Sequence, residues 1–187
     1  GGIGGVHRGV EISGDVSADL PAIAQHPVVT VCAGAKAFLD LGRTLEYLET
    51  IGVPVLGWRH DDFPSFYVRS SGHRVPHRVE HAAEVARIHR MRARNAAGTL
   101  LTVPIPVADE LDPTRMRAAV DSAVNDAAAQ GIIGAAVTPF VLARIAEATD
   151  GGSIPANLAL AENNARVAAD VAVAVAALSG AGGEVPG

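Results

Sequence analysis

Val28-Val29-Thr30-Val31-Cys32, then Ala33-Gly34-Ala35, then Lys36 to Ile51 (KAFLDLGRTLEYLETI) reads as a strand, a tight turn and a helix in direct succession. Four of the first five residues are β-branched. In the third part Phe38, Leu41, Leu45 and Leu48 recur at helical spacing, which predicts a helix over Lys36–Ile51. Working outward, Gly52 stops that helix and Val53–Trp58 reads as a second buried strand, with Phe66–Val68 as a short third. A helix is expected over Val79–Arg94, with Ala82, Ala83, Ala86 and Met91 on its apolar side and Arg87, Arg90, Arg92 and Arg94 on the rest. Thr99–Ile105 reads as the next strand. Asp112-Pro113 is a cap followed by proline at the first helical position, opening a helix that Gly131 ends. Thr138-Pro139 repeats the signal for a helix to about Thr149, and Ser153 caps a last helix to about Leu178. Gly180–Gly187 reads as a flexible Gly-rich tail. Strands alternating with helices predict an α/β fold: a mostly parallel sheet sandwiched by helices (α/β/α), as a single domain over residues 1–187. Ligands of such sheets sit beyond the C-terminal ends of the strands, here the loops after Cys32, Trp58 and Ile105.

The chain's 187 residues suffice for one such core without disulfides or a structural metal. Hydrophobic residues make up 49%, charged residues 19%, and the mean hydropathy is +0.25, which excludes long disorder. A net charge of −5 argues against nucleic acid or an anionic membrane as the main partner, since both need a basic face, and favours a small molecule. The lone Cys32 cannot form an internal disulfide, and no segment has the roughly 18 apolar residues of a membrane span. The expected location is the cytoplasm. Gly1 is not methionine, and a Gly-rich turn normally follows an ordered element, so the chain is expected to be N-terminally truncated.

Lys36 carries the most chemical information, because it is the one lysine beside fourteen arginines. A chain that uses arginine for its other cations has lysine at a strand-to-helix turn, where an amine could deprotonate and attack a carbonyl. The first turn of a helix at the mouth of a sheet would disfavour the ammonium form. The same residue could equally bind phosphate. Asp15 and Asp19, with Ser17 between them and His7 upstream, form a hard oxygen set suited to Mg²⁺ or Mn²⁺, although Asp19 could instead cap a helix. Gly1-Gly2-Ile3-Gly4-Gly5, followed by His7 and Arg8, offers backbone N–H groups that could cradle a phosphate or simply form a turn. His73, His77 and His81 are spaced by fours, but Pro76 interrupts any shared helix, so with His89 they are expected on a solvated basic face. His60-Asp61-Asp62 is expected in a turn. Asn157, Asn163 and Asn164 are unusual within a helix and imply backbone hydrogen bonds or an amide reaching into the site.

Together, Gly1 to Gly9 (GGIGGVHRG), Asp15 to Leu20 (DVSADL), Cys32 to Lys36 (CAGAK), Leu45 to Pro54 (LEYLETIGVP), Thr138 to Phe140 (TPF) and Asn163 to Ala165 (NNA) resemble the pseudouridine-5'-phosphate glycosidases. The resemblance runs in order over essentially the whole chain. It implies reversible cleavage of the C-glycosidic bond of pseudouridine 5'-phosphate to uracil and ribose 5-phosphate, in nucleobase catabolism. In that chemistry a lysine attacks C1 of the ring-opened sugar and uracil leaves after protonation of its ring carbon; the matching position is Lys36. The resemblance further implies Mn²⁺ (or Mg²⁺) on Asp15, substrate contacts from Ser17, Ala18, Asp19 and His7, an active-site asparagine at Asn157, and a homotrimer. It places the general-acid glutamate and a second substrate lysine upstream of Gly1. Gly14, Val103 and Ala135 depart from the residues usual in the family. The alternative expectation is a non-catalytic sugar-phosphate-binding subunit or degenerate relative lacking the general acid.

Overall fold

The computed structural model describes residues 1–93 and 97–180. In chain order the elements are α1 (Val10–Ser13), α2 (Asp19–Gln25), β1 (Val29–Cys32), α3 (Leu41–Thr50), β2 (Val55–Trp58), β3 (His77–Val79), α4 (Ala82–Ala93), β4 (Thr99–Thr102), α5 (Pro113–Ala129), α6 (Val137–Ala148) and α7 (Ser153–Gly180). The four strands form one parallel sheet in the order β1-β4-β2-β3, so the expected α/β architecture holds.

β4 shows why this sheet is covered on both faces. All four of its residues are buried, and successive side chains alternate between faces. Leu100 joins a large cluster that includes Leu20 of α2, Leu48 of α3, Met116 and Val120 of α5, and Val141 and Ile145 of α6. Its neighbour Leu101 joins a second cluster with Leu56, Val79, Val85 of α4, and Val167 and Val171 of α7. Each fully buried leucine contributes roughly 2 kcal/mol of transfer free energy. Thr102 spends its hydroxyl on Leu56 O at 2.9 Å, which removes the cost of its burial.

Three expected elements differ. The helix after β1 starts at Leu41 rather than Lys36, because residues 36–40 pair with the opening segment instead: Lys36 N donates to Ile3 O and Asp40 N to Val6 O. Asp40 then caps the helix through Arg43 N at 3.0 Å. The third strand is His77–Val79, held by its parallel pairing with β2, whereas Phe66 has a positive φ of 59° and sits in a turn. Thr138 does not cap its helix: a 3₁₀ turn over Gly134–Ala136 runs directly into α6, and Thr138 is the second helical residue. The Asp112 cap does form, accepting from Arg115 N at 2.6 Å. Of the expected tail, residues 181–187 lie outside the described residues, as does Arg94. Among the described residues no helix is long and apolar enough to cross a membrane.

Candidate active site

The opening segment is laid flat against the loop that follows β1. Gly1 O accepts from Ala33 N, Ile3 N donates to Gly34 O, and Ile3 and Ala35 form a parallel bridge. On its other side the segment pairs with residues 15–17: His7 N donates to Asp15 O at 3.1 Å and Ser17 N to Gly5 O at 2.9 Å. Glycine permits this close approach. A Cβ on Gly4 would collide with the Ser17 side chain. Gly34, at φ +74°, is left-handed and has the Pro64 carbonyl where a Cβ would stand. Beneath, the buried Thr44 hydroxyl accepts from Val6 N at 3.0 Å and donates to Asp40 O at 2.7 Å.

These pairings bring His7, Asp15, Ser17 and Lys36 together around a cleft of about 170 Å³, closed by Gly4, Phe38, Leu39, Gly134 and Thr138. The cleft lies at the loop after Cys32, one of the three places expected from the sheet. Lys36 is half-buried and, among the described residues, forms no ion pair within 4 Å. Its position differs from expectation in one respect: four residues separate it from the start of α3, so it does not stand in the first turn of that helix. The His7 ring tilts against Phe38, with centroids 6.2 Å apart, and its Nδ1 lies 3.7 Å from Asp15 Oδ2.

The expected phosphate cradle at Gly1–Gly5 is taken up in part by internal partners. The N–H groups of Ile3, Gly4, Val6 and His7 are already spent on Gly34 O, Asp19 Oδ2, Thr44 Oγ1 and Asp15 O. Asp19 is thereby an anchor for Gly4, at 2.7 Å, and starts α2; neither it nor the exposed Ala18 lines the cleft. Arg8 pairs with Asp121 at 2.9 Å and faces a neighbouring cavity of about 470 Å³. Asn157 is exposed on α7 and does not line the cleft. Asn163 Nδ2 donates to Pro104 O at 3.2 Å, and the buried Asn164 amide reaches Gly1 O or, turned over, Leu160 O and Ala33 N. The asparagine pair therefore fastens α7 to the site end of the sheet.

His73, His77 and His81 are exposed on three separate stretches of chain, but His89 is buried on α4, and burial lowers its pKa from the ordinary 6.5. Burial pushes the Cys32 thiol up to about 12, which excludes it as a nucleophile at neutral pH. Thr138 and Gly134 were not singled out as site residues by residue type. The signal available was the Thr-Pro-Phe triplet, which reads locally as a helix start.

For a divalent cation, the cleft offers one carboxylate and one imidazole at close range; among the described residues no three His, Cys, Asp or Glu side chains cluster to hold a metal. This donor set suits Mg²⁺ or Mn²⁺ in the water-rich mode that uses one or two protein ligands plus a substrate phosphate, and does not suit zinc.

A family model described as "Indigoidine synthase A like protein" matches residues 1–174. The chain belongs to the indigoidine synthase A-like family. Two curated relatives, from Solibacter usitatus (strain Ellin6076) and Sorangium cellulosum (strain So ce56), are both named pseudouridine-5'-phosphate glycosidase. The first is 51% identical over 174 residues, covering 92% of this chain and 58% of the relative. The second is 49% identical over 179 residues, covering 95% and 56%. A crystal structure of the prealnumycin C-glycosynthase AlnA in complex with ribulose 5-phosphate superimposes with a TM-score of 0.88 at 38% identity, over 96% of this chain and 60% of that one. An indigoidine synthase A-like protein from Thermotoga maritima gives 0.80 at 37% identity, over 92% and 57%. The family expected from the motifs is thus the family found. This indigoidine synthase A-like chain spans somewhat under three fifths of the length of the curated relatives it matches.

Proposed function

We propose that the chain carries the nucleophile half of a pseudouridine-5'-phosphate glycosidase site, acting reversibly on the C–C bond between uracil and ribose 5-phosphate. The observation that carries this reading is the convergence of the one lysine, Lys36, with His7, Asp15, Ser17 and Thr138 in a cleft beyond the end of β1. The names of the curated relatives, and a structural neighbour that forms C-glycosides and holds a pentulose phosphate, support the substrate class.

In this mechanism Lys36 Nζ bonds to C1 of the sugar while the ring C1–O bond breaks and its oxygen takes a proton. Once the uracil ring carbon is protonated, the C–C bond breaks with its electrons going to uracil, and the amine lone pair leaves an iminium on Lys36. Water then adds, and the iminium collapses to ribose 5-phosphate and free lysine. Asp15, backed by His7, would hold Mn²⁺ or Mg²⁺, whose charge would offset that of the substrate phosphate. Ser17 and His7 contact substrate; Ala18, Asp19 and Asn157 act on it only from outside the cleft as it stands here. A homotrimer in the cytoplasm is the assembly and location in keeping with this reading.

A second reading, a sugar-phosphate-binding protein that does not release uracil, is favoured by the cleft volume of about 170 Å³. That is below the roughly 300–1,000 Å³ of ordinary small-molecule sites. Intact mass after incubation with ribose 5-phosphate, Mn²⁺ and borohydride tests the first reading. A sugar-phosphate adduct on the chain and none on Lys36→Ala is expected. Equal adducts on both would place the reaction at the Gly1 amine and overturn it. Binding of ribose 5-phosphate without an adduct would leave the second reading standing.

A further inference from the structure

The tip of a tight turn ordinarily faces water, and the one at Phe66-Tyr67 does not. Ser65 and Val68 form an antiparallel bridge, with Ser65 N donating to Val68 O at 2.9 Å and Val68 N to Ser65 O at 3.3 Å, so Phe66-Tyr67 is a two-residue connection. Its first residue, at φ 59°, is in the left-handed region, which glycine adopts freely and phenylalanine does not. Yet both residues are buried, Phe66 to 5% exposure and Tyr67 to 4%, with ring centroids 4.3 Å apart. A bulky side chain kept on strained backbone, and turned inward, requires that the surroundings hold it there.

Those surroundings are the turn that leads into Lys36. Phe66 N donates to Ala33 O at 3.1 Å, Ser65 bridges Gly34, and the Pro64 carbonyl fills the place of a Gly34 Cβ. The Phe66 ring reaches further along the same turn. A Cβ on Gly2 would stand 2.7 Å from Phe66 Cδ2 and 3.4 Å from the carbonyl carbon of Ala35, the atom bonded to Lys36 N. Ala33, Gly34 and Ala35 have no side chain long enough to anchor themselves, and no helix begins until Leu41. Their position therefore depends on the two segments that clasp them, Gly1–Ile3 and Pro64–Phe66.

We propose, on the reading of Lys36 as the nucleophile, that Phe66 is a positioning residue for it. The ring, seated against Gly2 by the strained turn, fixes the backbone at 33–35 and with it the line along which Lys36 Nζ meets the sugar carbon. Phe66 does not line the cleft and acts only through that backbone.

Borohydride trapping, read as rate against ribose 5-phosphate concentration, tests this. Phe66→Leu keeps an apolar side chain without the ring. In the folded variant the rate at saturation should fall at least about tenfold, with the half-saturating concentration unchanged. An unchanged saturating rate, or a loss confined to the half-saturating concentration, overturns the proposal, since a residue that only stabilises the fold leaves the saturating rate of folded protein alone. Phe66→Gly removes the ring and the strain together and should be as slow; a full rate there also overturns it. If the parent chain forms no adduct, the nucleophile reading fails, and positioning is read from the amine itself. Because the chain has one lysine, reductive methylation with ¹³C-formaldehyde labels Lys36 and the terminal amine only. The Lys36 resonance, assigned by its absence in Lys36→Arg, should move in Phe66→Leu; a resonance that stays in place in the folded variant overturns the proposal. Should Phe66→Leu not fold, the more adaptable Phe66→Met takes its place in both measurements.

Discussion

The cleft at Lys36 and the groove beside β3 make an instructive pair. The groove is far larger, about 960 Å³ against about 170 Å³, and richer in charge, with Arg43, Arg74, Arg92, His73 and His77 along its walls. Yet its cations are committed. Arg43 pairs with Glu11, Arg74 lies 3.6 Å from Asp61, and Arg92 donates to Gly52 O. In the small cleft the one lysine has no such partner among the described residues, and the carboxylate and imidazole beside it face only each other, at 3.7 Å. Volume and charge count mark the groove; chemistry still available to a ligand marks the cleft.

The largest expected effect that could break this contrast is at Lys36. Lys36→Arg keeps the charge but not the nucleophilic amine, and should remove the borohydride-trapped adduct entirely while leaving the melting temperature unchanged. A persisting adduct would make the cleft no more reactive than the groove. Next is the support beneath the cleft. Thr44→Val strands the buried Val6 N–H, and should cost roughly 1–3 kcal/mol in chemical denaturation; a neutral result would mean the opening segment is not held by that hydroxyl. Asp15→Ala should weaken Mn²⁺ binding by calorimetry at least about tenfold, or about 1.4 kcal/mol, and unchanged affinity would move the metal elsewhere. On the groove side, α4 also carries the buried His89. Burial lowers its pKa below 6.5, so the unfolded chain gains a proton that the folded chain refuses as pH falls through 6.5. Stability from this group is full above that pH and declines below it, and a melting series should show a shallower acid slope in His89→Gln. The smallest effect is at Arg74, whose side chain is 75% exposed: Arg74→Ala should leave both melting temperature and adduct formation unaltered.

Much of the fold was legible because local signals and burial agree. The β-branched run before Lys36, the apolar spacing in α3 and the Asp112-Pro113 cap each point to the element that forms. Where they disagree, pairing between distant segments decided. Lys36 to Asp40 has helical spacing, but Ile3 and Val6 draw its backbone into bridges. His-Arg-Val at 77–79 has little strand character, but β2 offers it a ladder. The same holds for the site. Residue type singled out Lys36, Asp15 and His7, whereas the loss of the Ile3, Gly4, Val6 and His7 N–H groups to internal partners depends on contacts up to 38 residues away, such as Val6 with Thr44. Thr138 enters the cleft from α6, a separation no local pattern reports.

The walls of the cleft come from four stretches of chain, around Gly4, Asp15, Lys36 and Thr138, with more than a hundred residues between the first and the last. No single stretch is a site, so any local opening that lifts one wall dissolves it. A molecule that bridges them therefore acts as a latch on the native state. At a hundred times its dissociation constant it would add about 2.7 kcal/mol to the stability of the whole chain. The melting temperature becomes an assay for substrate: a screen of sugar phosphates by thermal shift would rank what the cleft accepts before any turnover is measured.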